Sequence, residues 1–273
     1  MTINCKGHLI DFSIPKVMGI LNITPDSFYD GGKYKNESEI LSQTEKMLTE
    51  GATFIDIGAY SSRPGAKHIS EEEELQRIVP VVKLLLKQFP ETLISIDTFR
   101  SKVAKETIET GSAIINDISG GTMDSNMFET VATLQVPYIL MHMKGTPQNM
   151  QKNPRYENVT TELMSFFAEQ IFKLRQLQLN DVLIDVGFGF GKTLEHNYQL
   201  LKDLALFKNL DVPILAGVSR KSMLYKPLNT SAKEALNATT SANTIALLNG
   251  ANILRVHDVK EAVEAVNIVN LLN

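Results

Sequence analysis

Short apolar segments alternate with amphipathic ones along the whole chain. Eight of the apolar segments lack the i, i+3, i+4 spacing of a helix, and each predicts a buried strand. They occupy residues 17–21, 54–57, 93–96, 113–115, 138–141, 182–184, 214–216 and 253–256. Because they are almost uniformly apolar, without polar alternation, we expect parallel strands that are covered on both faces.

The stretches between these strands predict helices. Residues 40–48 and 166–177 each repeat apolar side chains on one helical face. Three patterns of Ser or Asp followed three residues later by Glu predict capping boxes, in which side chains bond the free amides of a first helical turn. These patterns begin at Ser70, Ser231 and Asp258.

Eight strands that alternate with helices predict an α/β fold, a (β/α)8 TIM barrel. The 273 residues fit one such domain, covering 1–273, and residues 8–13 predict a short N-terminal hairpin. An open doubly wound sheet is the alternative, because a sequence pattern does not show closure. The fourth helix, near residues 127–134, is also weakly marked.

Charge and cysteine content narrow the function classes. The 27 Lys and Arg residues are dispersed among 31 Asp and Glu residues, without the basic patch that binds nucleic acid. Cys5 is the only cysteine, which excludes an internal disulfide and suits a reducing compartment. The first residues lack the apolar core of a signal peptide, and no run is long enough to cross a membrane. We therefore expect a cytoplasmic protein with neither a nucleic-acid nor a membrane partner.

A polar residue stands at or just beyond the carboxyl end of each predicted strand. In a barrel these ends converge on one mouth, where such enzymes carry their chemistry. Any one of these residues alone is as readily a cap or a buried, satisfied polar group. Together they predict a site built from Asn22, Asp56, Asp97, Asn116, His142, Asp185, Ser219, Arg255 and His257.

The glycine-rich segment 187–193 invites two nucleotide-binding interpretations. A P-loop requires glycine where Val186 stands, and the dinucleotide fingerprint requires glycine where Lys192 stands, so both fail. The glycines instead predict a loop whose backbone a ligand can approach, with Phe188 and Phe190 available for stacking. A flexible turn above core phenylalanines is the alternative.

Hydroxyls and cations recur in three places that could bind an anion. Residues 61–65 combine serines with Arg63, whose guanidinium can hold a phosphate with two hydrogen bonds. Residues 219–222 place hydroxyls and cations at a predicted helix start, where free amides favour an anion. Arg255 and His257 alternate on the last strand and face the same way. The alternative for Arg63 is a solvated loop.

Metal and heterocycle ligands leave a fainter pattern. No cysteine or histidine spacing predicts a metal cage. A Mg²⁺ held by substrate phosphates needs only one or two protein oxygens, and Asn22 is the candidate. Asp97, Asn116 and Asp185 offer acceptors and donors suited to a flat, amide-rich heterocycle, and Lys221 adds a cation at its rim.

Eight motifs between residues 18 and 258 resemble, in order, those of the dihydropteroate synthase family. They are LNITPDSFYDGG, SSRPGA, SIDTFRS, INDISGG, LMHMKGTP, LIDVGFGFGK, GVSRKS and LRVHD. The resemblance implies a (β/α)8 barrel that joins 6-hydroxymethyl-7,8-dihydropterin diphosphate to 4-aminobenzoate in folate biosynthesis. Pyrophosphate leaves with the help of Mg²⁺. The resemblance also implies a homodimer and a protein of the class that sulfonamides target.

The resemblance assigns roles to individual residues. For the pterin it implies Asp97, Asn116, Asp185 and Lys221, and for the diphosphate Ser62, Arg63, Arg255 and His257. For 4-aminobenzoate it implies Pro64, Phe190, Lys221 and Ser222, with Asp26 and Asp30 in a mobile loop and Asn22 on the metal. Catalytic roles fall on Arg63, Asp97, Asp185, Lys221, Arg255 and His257.

Two departures from the family motifs and two rival functions stay open. Val186 replaces a usual proline, which predicts a looser loop around Phe190, and Ser62 replaces threonine but keeps the hydroxyl. One rival is a methyltransferase that uses methyltetrahydrofolate, which has little need for an anion set. The other is a pterin-binding protein without turnover, which the retention of Asn22 disfavours.

Overall fold

A closed barrel of eight parallel strands forms the centre of the computed structural model. The structure describes residues 1–23, 33–61 and 68–272, the side chains of 33–36 excepted. The strands are β1 (Thr2–Cys5), β2 (His8–Asp11), β3 (Lys16–Asn22), β4 (Phe54–Gly58), β5 (Leu93–Asp97), β6 (Ile114–Asp117), β7 (Tyr138–Met141), β8 (Val182–Asp185), β9 (Ile214–Ala216) and β10 (Ile253–Val256). β10 pairs with β3 and closes the barrel, so the predicted (β/α)8 fold is confirmed and the open sheet is wrong.

Helices follow the strands and pack outside them. They are α1 (Lys33–Thr49), α2 (Glu71–Gln88), α3 (Ser101–Thr110), α4 (Met127–Leu134), α5 (Val159–Gln176), α6 (Leu194–Asp203), α7 (Ser222–Tyr225), α8 (Leu236–Leu248) and α9 (Val259–Asn270). Short 3-10 turns occupy Leu204–Leu210 and Ala232–Glu234. Among the described residues, no helix is long and apolar enough to cross a membrane.

The register of the parallel strands brings polar residues level with one another at the mouth. Asn22 lies opposite Gly58, Gly58 opposite Asp97, and Asp97 opposite Asn116. Side chains two residues apart on a strand share a face, so Asp56 lies one layer deeper on β4 than Gly58. This row at the carboxyl ends of the strands is where the sequence predicts the site.

An antiparallel hairpin of β1 and β2 closes the opposite end of the barrel. It covers residues 2–11, whereas the sequence interpretation placed the hairpin at 8–13 and so found only its second strand. Lys6 and Gly7 form the turn with φ of 53° and 82°, which suits the two-residue turns that join twisted strands. Ile3 and Cys5 pack against the first residues of the barrel strands. The hairpin therefore seals the amino-terminal face and leaves the carboxyl face for chemistry.

The capping box predicted at Ser70 forms in part, and the one predicted at Ser231 does not form. The Ser70 hydroxyl accepts the Glu73 amide at 3.1 Å and caps α2, but the Glu73 carboxylate pairs with Arg77 instead of returning to the cap. The Ser231 hydroxyl contacts the Glu234 carboxylate at 3.3 Å and caps no amide. Only a short 3-10 turn follows it.

The third predicted box is wrong because its carboxylate has another partner. Asp258 immediately precedes α9, yet both of its oxygens accept hydrogen bonds from Arg220, at 2.7 and 2.8 Å. A reciprocal cap occurs instead on α6, where Thr193 accepts the His196 amide and the His196 ring accepts the Thr193 amide, both at 3.2 Å. A pattern limited to Glu or Gln at the third position misses this cap.

Candidate active site

Three strands and the closing strand bring two carboxylates, an amide and a guanidinium together in the barrel mouth. Arg255 Nη2 lies 2.5 Å from Asp56 Oδ2 and 2.9 Å from Asp97 Oδ2. The Asn116 amide donates to both Asp56 oxygens at 3.3 Å. The Asp97 side chain is 17% exposed and that of Asp56 is 0% exposed, so Asp97 is the carboxylate that a ligand can reach.

Burial shifts the pKa of two carboxyl groups in the mouth, those of Asp97 and Asp185. Burial raises the pKa of Asp97 to about 7, against the opposing charge of Arg255, and the charge of Asp56 adds to the rise. Burial also raises the pKa of Asp185, which Lys221 and the Gly187 amide counteract. Carboxyls perturbed in this way are typical of functional sites.

Lys221 follows β9 and reaches the same mouth, near Asp185 and Arg255. It donates to the Phe188 carbonyl at 2.5 Å, and its ammonium lies 4.8 Å from the centre of the Phe190 ring. Burial lowers the pKa of Lys221 to about 8, although the charge of Asp185 raises it. Lys221 Nζ and Asp185 Oδ2 both lie within 4 Å of the point where a Cβ on Gly217 would stand. A cation, an anion and an aromatic face therefore border one space floored by a glycine.

The glycine-rich loop after β8 packs against the end of β7. Gly187, Gly189 and Gly191 have positive φ values of 67°, 81° and 63°. A Cβ on Gly187 would lie 2.1 Å from the His142 carbonyl oxygen, and one on Gly191 would lie 2.5 Å from that of Lys144. Only glycine allows this close approach of two backbones. The loop is thus a fitted wall of the mouth, which favours the ligand-loop interpretation over a flexible turn.

The buried side chain of Lys192 anchors this loop through hydrogen bonds. Its ammonium lies 3.1 Å from His142 Nδ1, 3.2 Å from the His142 carbonyl oxygen and 3.0 Å from that of Phe190. Burial lowers the pKa of Lys192 to about 7, with Asp185 opposing the shift. Burial, with the charge of Lys192, lowers the pKa of His142 to about 2, so the imidazole is neutral and Nδ1 accepts. His142 is a buried, paired histidine.

An apolar cluster lies beside these polar groups at the ends of the strands. It unites the ends of several strands, with Tyr60, Ile69, Phe99, Ile118, Met141, Met143 and Met150 buried and Phe190 packed against them. Tyr60 also hydrogen-bonds Gln148 at 2.9 Å, which joins the segments after β4 and β7. Flat apolar walls beside a few fixed polar groups are typical of small-molecule sites.

The residues of the predicted anion sites lie in different surroundings. His257 Nδ1 lies 3.0 Å from the Ser219 hydroxyl, while Arg255 turns inward to the two carboxylates. Arg220 points away from the mouth toward Asp258 and two carbonyl groups. Ser222 is the first residue of α7 and is exposed.

Some predicted residues lie outside the described parts of the chain. They are Asp26, Asp30, Ser62, Arg63 and Pro64. Asn22 is described, and it lies half-buried at the end of β3 in the row of polar residues. Among the described residues, no group of three His, Cys, Asp or Glu side chains could hold a metal ion. An amide oxygen at the mouth fits a cation only where a substrate supplies most of the ligands.

Comparison with known proteins decides the family. Residues 18–257 match the model of the pterin binding enzyme family. The dihydropteroate synthase of Escherichia coli (strain K12) is 44% identical over 271 residues, which cover 98% of this chain and 95% of that protein. The chain belongs to the dihydropteroate synthase family. It is accordingly a transferase of folate biosynthesis.

Solved structures of the dihydropteroate synthase family agree with this assignment. A crystal structure of the Yersinia pestis dihydropteroate synthase with a sulfonamide drug is 43% identical, with a TM-score of 0.93 over 100% of this chain and 99% of that one. The Xanthomonas albilineans dihydropteroate synthase in complex with 7,8-dihydropteroate is 33% identical, with a TM-score of 0.89 over 100% of this chain and 98% of that one.

Sequence patterns give no individual role to two residues of this dihydropteroate synthase family member. Asp56 was a strand-end candidate, and its signal is a carboxylate in the middle of an apolar strand. In the sequence, Lys192 only breaks a nucleotide-binding motif. A lysine at the end of a glycine-rich loop is nevertheless a candidate anchor for that loop. Val186 is fully buried under the loop, and the looser loop expected from it stays a prediction.

Proposed function

We propose that the barrel mouth joins 6-hydroxymethyl-7,8-dihydropterin diphosphate to 4-aminobenzoate, with release of pyrophosphate, and that the polar residues of the strand ends carry the reaction. The observation behind this proposal is the convergence of Asp97, Asn116, Asp185 and Lys221 on one cleft with an aromatic edge. The dihydropteroate bound by the Xanthomonas relative supports the same chemistry here. One barrel domain covering 1–273 suffices for it.

The pterin ring binds to the carboxylates. A pterin presents several N–H donors along one edge, and the reachable oxygens of Asp97 and Asp185 are acceptors for them. Asn116 adds an amide, and Lys221 donates to ring acceptors at the rim. Acceptors on one side and donors on the other select an amide-rich heterocycle over an apolar ring.

The diphosphate end binds to cations and hydroxyls. Ser62, Arg63, Arg255 and His257 form this set, of which the last two are described at the end of β10 and just after it. Mg²⁺ is the proposed cofactor, and Asn22 would hold it together with the substrate's phosphate oxygens. When bound, the ion supplies positive charge that stabilises the departing pyrophosphate.

4-Aminobenzoate binds beside the glycine-rich loop. Phe190 packs its ring against the apolar cluster, and Lys221 lies over that ring, so an aromatic carboxylate meets a flat wall and a cation together. Pro64 and Ser222 complete the proposed subsite. The aniline nitrogen is then directed toward the pterin side of the mouth.

The reaction is a dissociative substitution at the pterin methylene carbon. The C–O bond to the diphosphate breaks first, and the electron-rich pterin takes up the positive charge. Asp97 and Asp185 stabilise that charge, while Arg63, Arg255 and His257 stabilise the leaving group. The aniline nitrogen attacks as a neutral nucleophile, so no general base has to activate it, and the ammonium that forms then releases its extra proton to water or to the pyrophosphate.

Assembly is a further part of the proposal. A homodimer is supported by apolar side chains exposed on α8 and α9, since such patches commonly mark contacts between proteins. Ile245 is 45%, Leu248 56% and Ile268 63% exposed. If light scattering at micromolar concentration gives the mass of a single chain, the proposed homodimer is wrong. A cytoplasmic location stays a prediction.

A product assay separates the proposed reaction from its rivals. The chain is incubated with the pterin diphosphate, Mg²⁺ and 4-aminobenzoate, and dihydropteroate and pyrophosphate are measured. A methyltransferase would instead consume methyltetrahydrofolate, and a binding protein would bind pterin without releasing pyrophosphate. Either of those outcomes would overturn the proposed function.

A further inference from the structure

Asp56 is a fully buried carboxylate that joins several side chains of the mouth. Its Oδ1 accepts the Ser95 hydroxyl at 2.6 Å, its Oδ2 accepts Arg255 Nε at 2.7 Å, and the Asn116 amide reaches both oxygens. A buried carboxylate is costly unless such donors surround it. Its donors come from β5, β6 and β10, so one residue ties three strands of the mouth together.

The contact with Asp56 decides which end of the Asn116 amide faces a ligand. A carboxylate only accepts hydrogen bonds, so the NH₂ group of Asn116 must turn toward Asp56. Its carbonyl oxygen then points away from Asp56. Asn116 is only 3% exposed, and its neighbours leave the side chain little freedom. With a neutral residue at position 56 the amide could turn over and offer a donor where the ring needs an acceptor.

The same carboxylate also keeps the Arg255 side chain in position. Arg255 bridges Asp56 and Asp97, and the side chains of these two carboxylates are 0% and 17% exposed. A ring donor that binds Asp97 competes with the guanidinium there. Asp56 lies deeper and keeps its ion pair, so Arg255 stays compensated and in place.

We propose that Asp56 is a positioning residue for the pterin, which fixes the carbonyl oxygen of Asn116 toward the ring and retains Arg255 when the ring takes Asp97. This inference rests on the proposed function. Asp56 itself does not touch the substrate, and its effect on pterin binding passes through Asn116 and Arg255.

Asp117 supplies a matched control. It is also a fully buried carboxylate and is adjacent to Asn116 in the chain, but it faces the other side of the strand. Its oxygens accept the Tyr138 hydroxyl at 2.7 Å and the Ser119 hydroxyl at 2.7 Å. Asp117→Asn therefore makes the same chemical change at equal burial, at a carboxylate whose hydrogen bonds go to Tyr138, Ser119 and Gly121 and not to the Asn116 side chain.

The test is a double-mutant cycle on pterin binding. Calorimetry measures the affinity of 6-hydroxymethylpterin, which lacks the diphosphate, for wild type, Asp56→Asn, Asn116→Ala and the double variant. We expect Asp56→Asn to weaken binding about tenfold, equal to ~1.4 kcal/mol, in the wild-type background. In the Asn116→Ala background only the part that passes through Arg255 should remain, so the effect should fall to about threefold or less, since coupled residues are not additive. Asp117→Asn should lower Tm yet change affinity by the same factor in both backgrounds.

Equal weakening by Asp56→Asn in both backgrounds, or none in either, overturns the proposal. Thermal unfolding of each variant establishes that the measured protein is folded. If Asp56→Asn does not fold, Ser95→Ala takes its place in the cycle, because it releases Asp56 from one side only. A smaller weakening that shrinks further in the Asn116→Ala background supports the proposal, and an additive one overturns it.

The wild-type measurements distinguish failure of this inference from failure of the proposed function. If wild type neither binds the pterin nor makes dihydropteroate, the proposed function fails and the inference falls with it. If wild type does both and the cycle is additive, only the role of Asp56 fails.

Discussion

Arg255 on the last barrel strand reaches Asp97 on β5, with 2.9 Å between Nη2 and Oδ2 and 158 residues between the two along the chain. Closure of β10 on β3 makes this contact possible. It means that a ligand approaching Asp97 meets a carboxylate whose charge a guanidinium already balances. Under the proposed function, pterin binding is a competition between ring donors and Arg255, and the charge of Asp97 decides it.

Pterin affinity should depend on pH through Asp97. Its pKa is raised to about 7, so lowering the pH below that value protonates the group that accepts the ring donors. Affinity for 6-hydroxymethylpterin should fall by up to about tenfold per pH unit below neutrality. Asp97→Asn should bind weakly and with a flat profile. Calorimetry over the range from mildly acidic to mildly alkaline pH checks this, and a flat wild-type profile would contradict it.

Lys221→Ala should impair both substrates, because its ammonium lies 4.8 Å from the Phe190 ring centre and borders the proposed pterin site. Loss of a charged hydrogen bond typically costs ~1.5–3 kcal/mol, so kcat/KM should fall by roughly tenfold to a hundredfold for each substrate. Lys226→Ala removes an exposed lysine nearby and should change neither value. Wild-type kcat/KM in Lys221→Ala would remove this residue from the site.

Lys192 should make the folded state more stable as the pH rises. Its folded pKa of about 7 lies below the ordinary value of 10.5, so between these values the unfolded chain binds more protons. Stability therefore increases with pH there, by about 2 kcal/mol from about pH 7 to about pH 9. In Lys192→Met that increment should disappear. Denaturant unfolding at both pH values measures it, with Lys173→Met on the surface of α5 as the control.

Parallel pH profiles for wild type and Lys192→Met would show that Lys192 stays charged throughout. Its three acceptors would then fully offset its burial. The inner anchor of the glycine-rich loop would be an ammonium at every pH at which the protein is folded.

Asn22→Ala should raise the Mg²⁺ concentration needed for half-maximal turnover and leave Tm nearly unchanged. Asn22 is half-buried at the mouth, so its loss affects a ligand more than the core. Asn237→Ala, at an exposed position of α8, should change neither quantity. A Mg²⁺ titration of activity measures the shift, and an unchanged midpoint would exclude Asn22 from the metal site.

The barrel and the meeting of polar strand ends at its mouth could be predicted from the sequence because both depend on local pattern. Uniformly apolar strands imply two covered faces, and polar residues at strand ends then have to meet at the mouth. The row from Asn22 through Asp97 to Asn116 confirms that reasoning. Strand bounds differed mainly because the strands continue into their polar ends.

Contacts between residues that are far apart along the chain could not be predicted from the sequence. Asp56 and Arg255 are 199 residues apart, and their ion pair depends on the register of the closed barrel. Arg220 has a positive φ of 54°, which turns its side chain away from the anion site and toward Asp258. Residues with positive φ other than glycine leave no signal in composition or spacing. Lys6, which has positive φ in the hairpin turn, is a further example.

The fate of the bridging oxygen tests the account most directly. The pterin diphosphate is prepared with a heavy-oxygen label between the methylene carbon and the first phosphorus, and the wild-type chain turns it over with Mg²⁺ and 4-aminobenzoate. Mass spectrometry should find dihydropteroate and pyrophosphate in equal amounts, with all of the label in pyrophosphate, because the C–O bond breaks. Absence of dihydropteroate, or label retained on the pterin, would contradict the account.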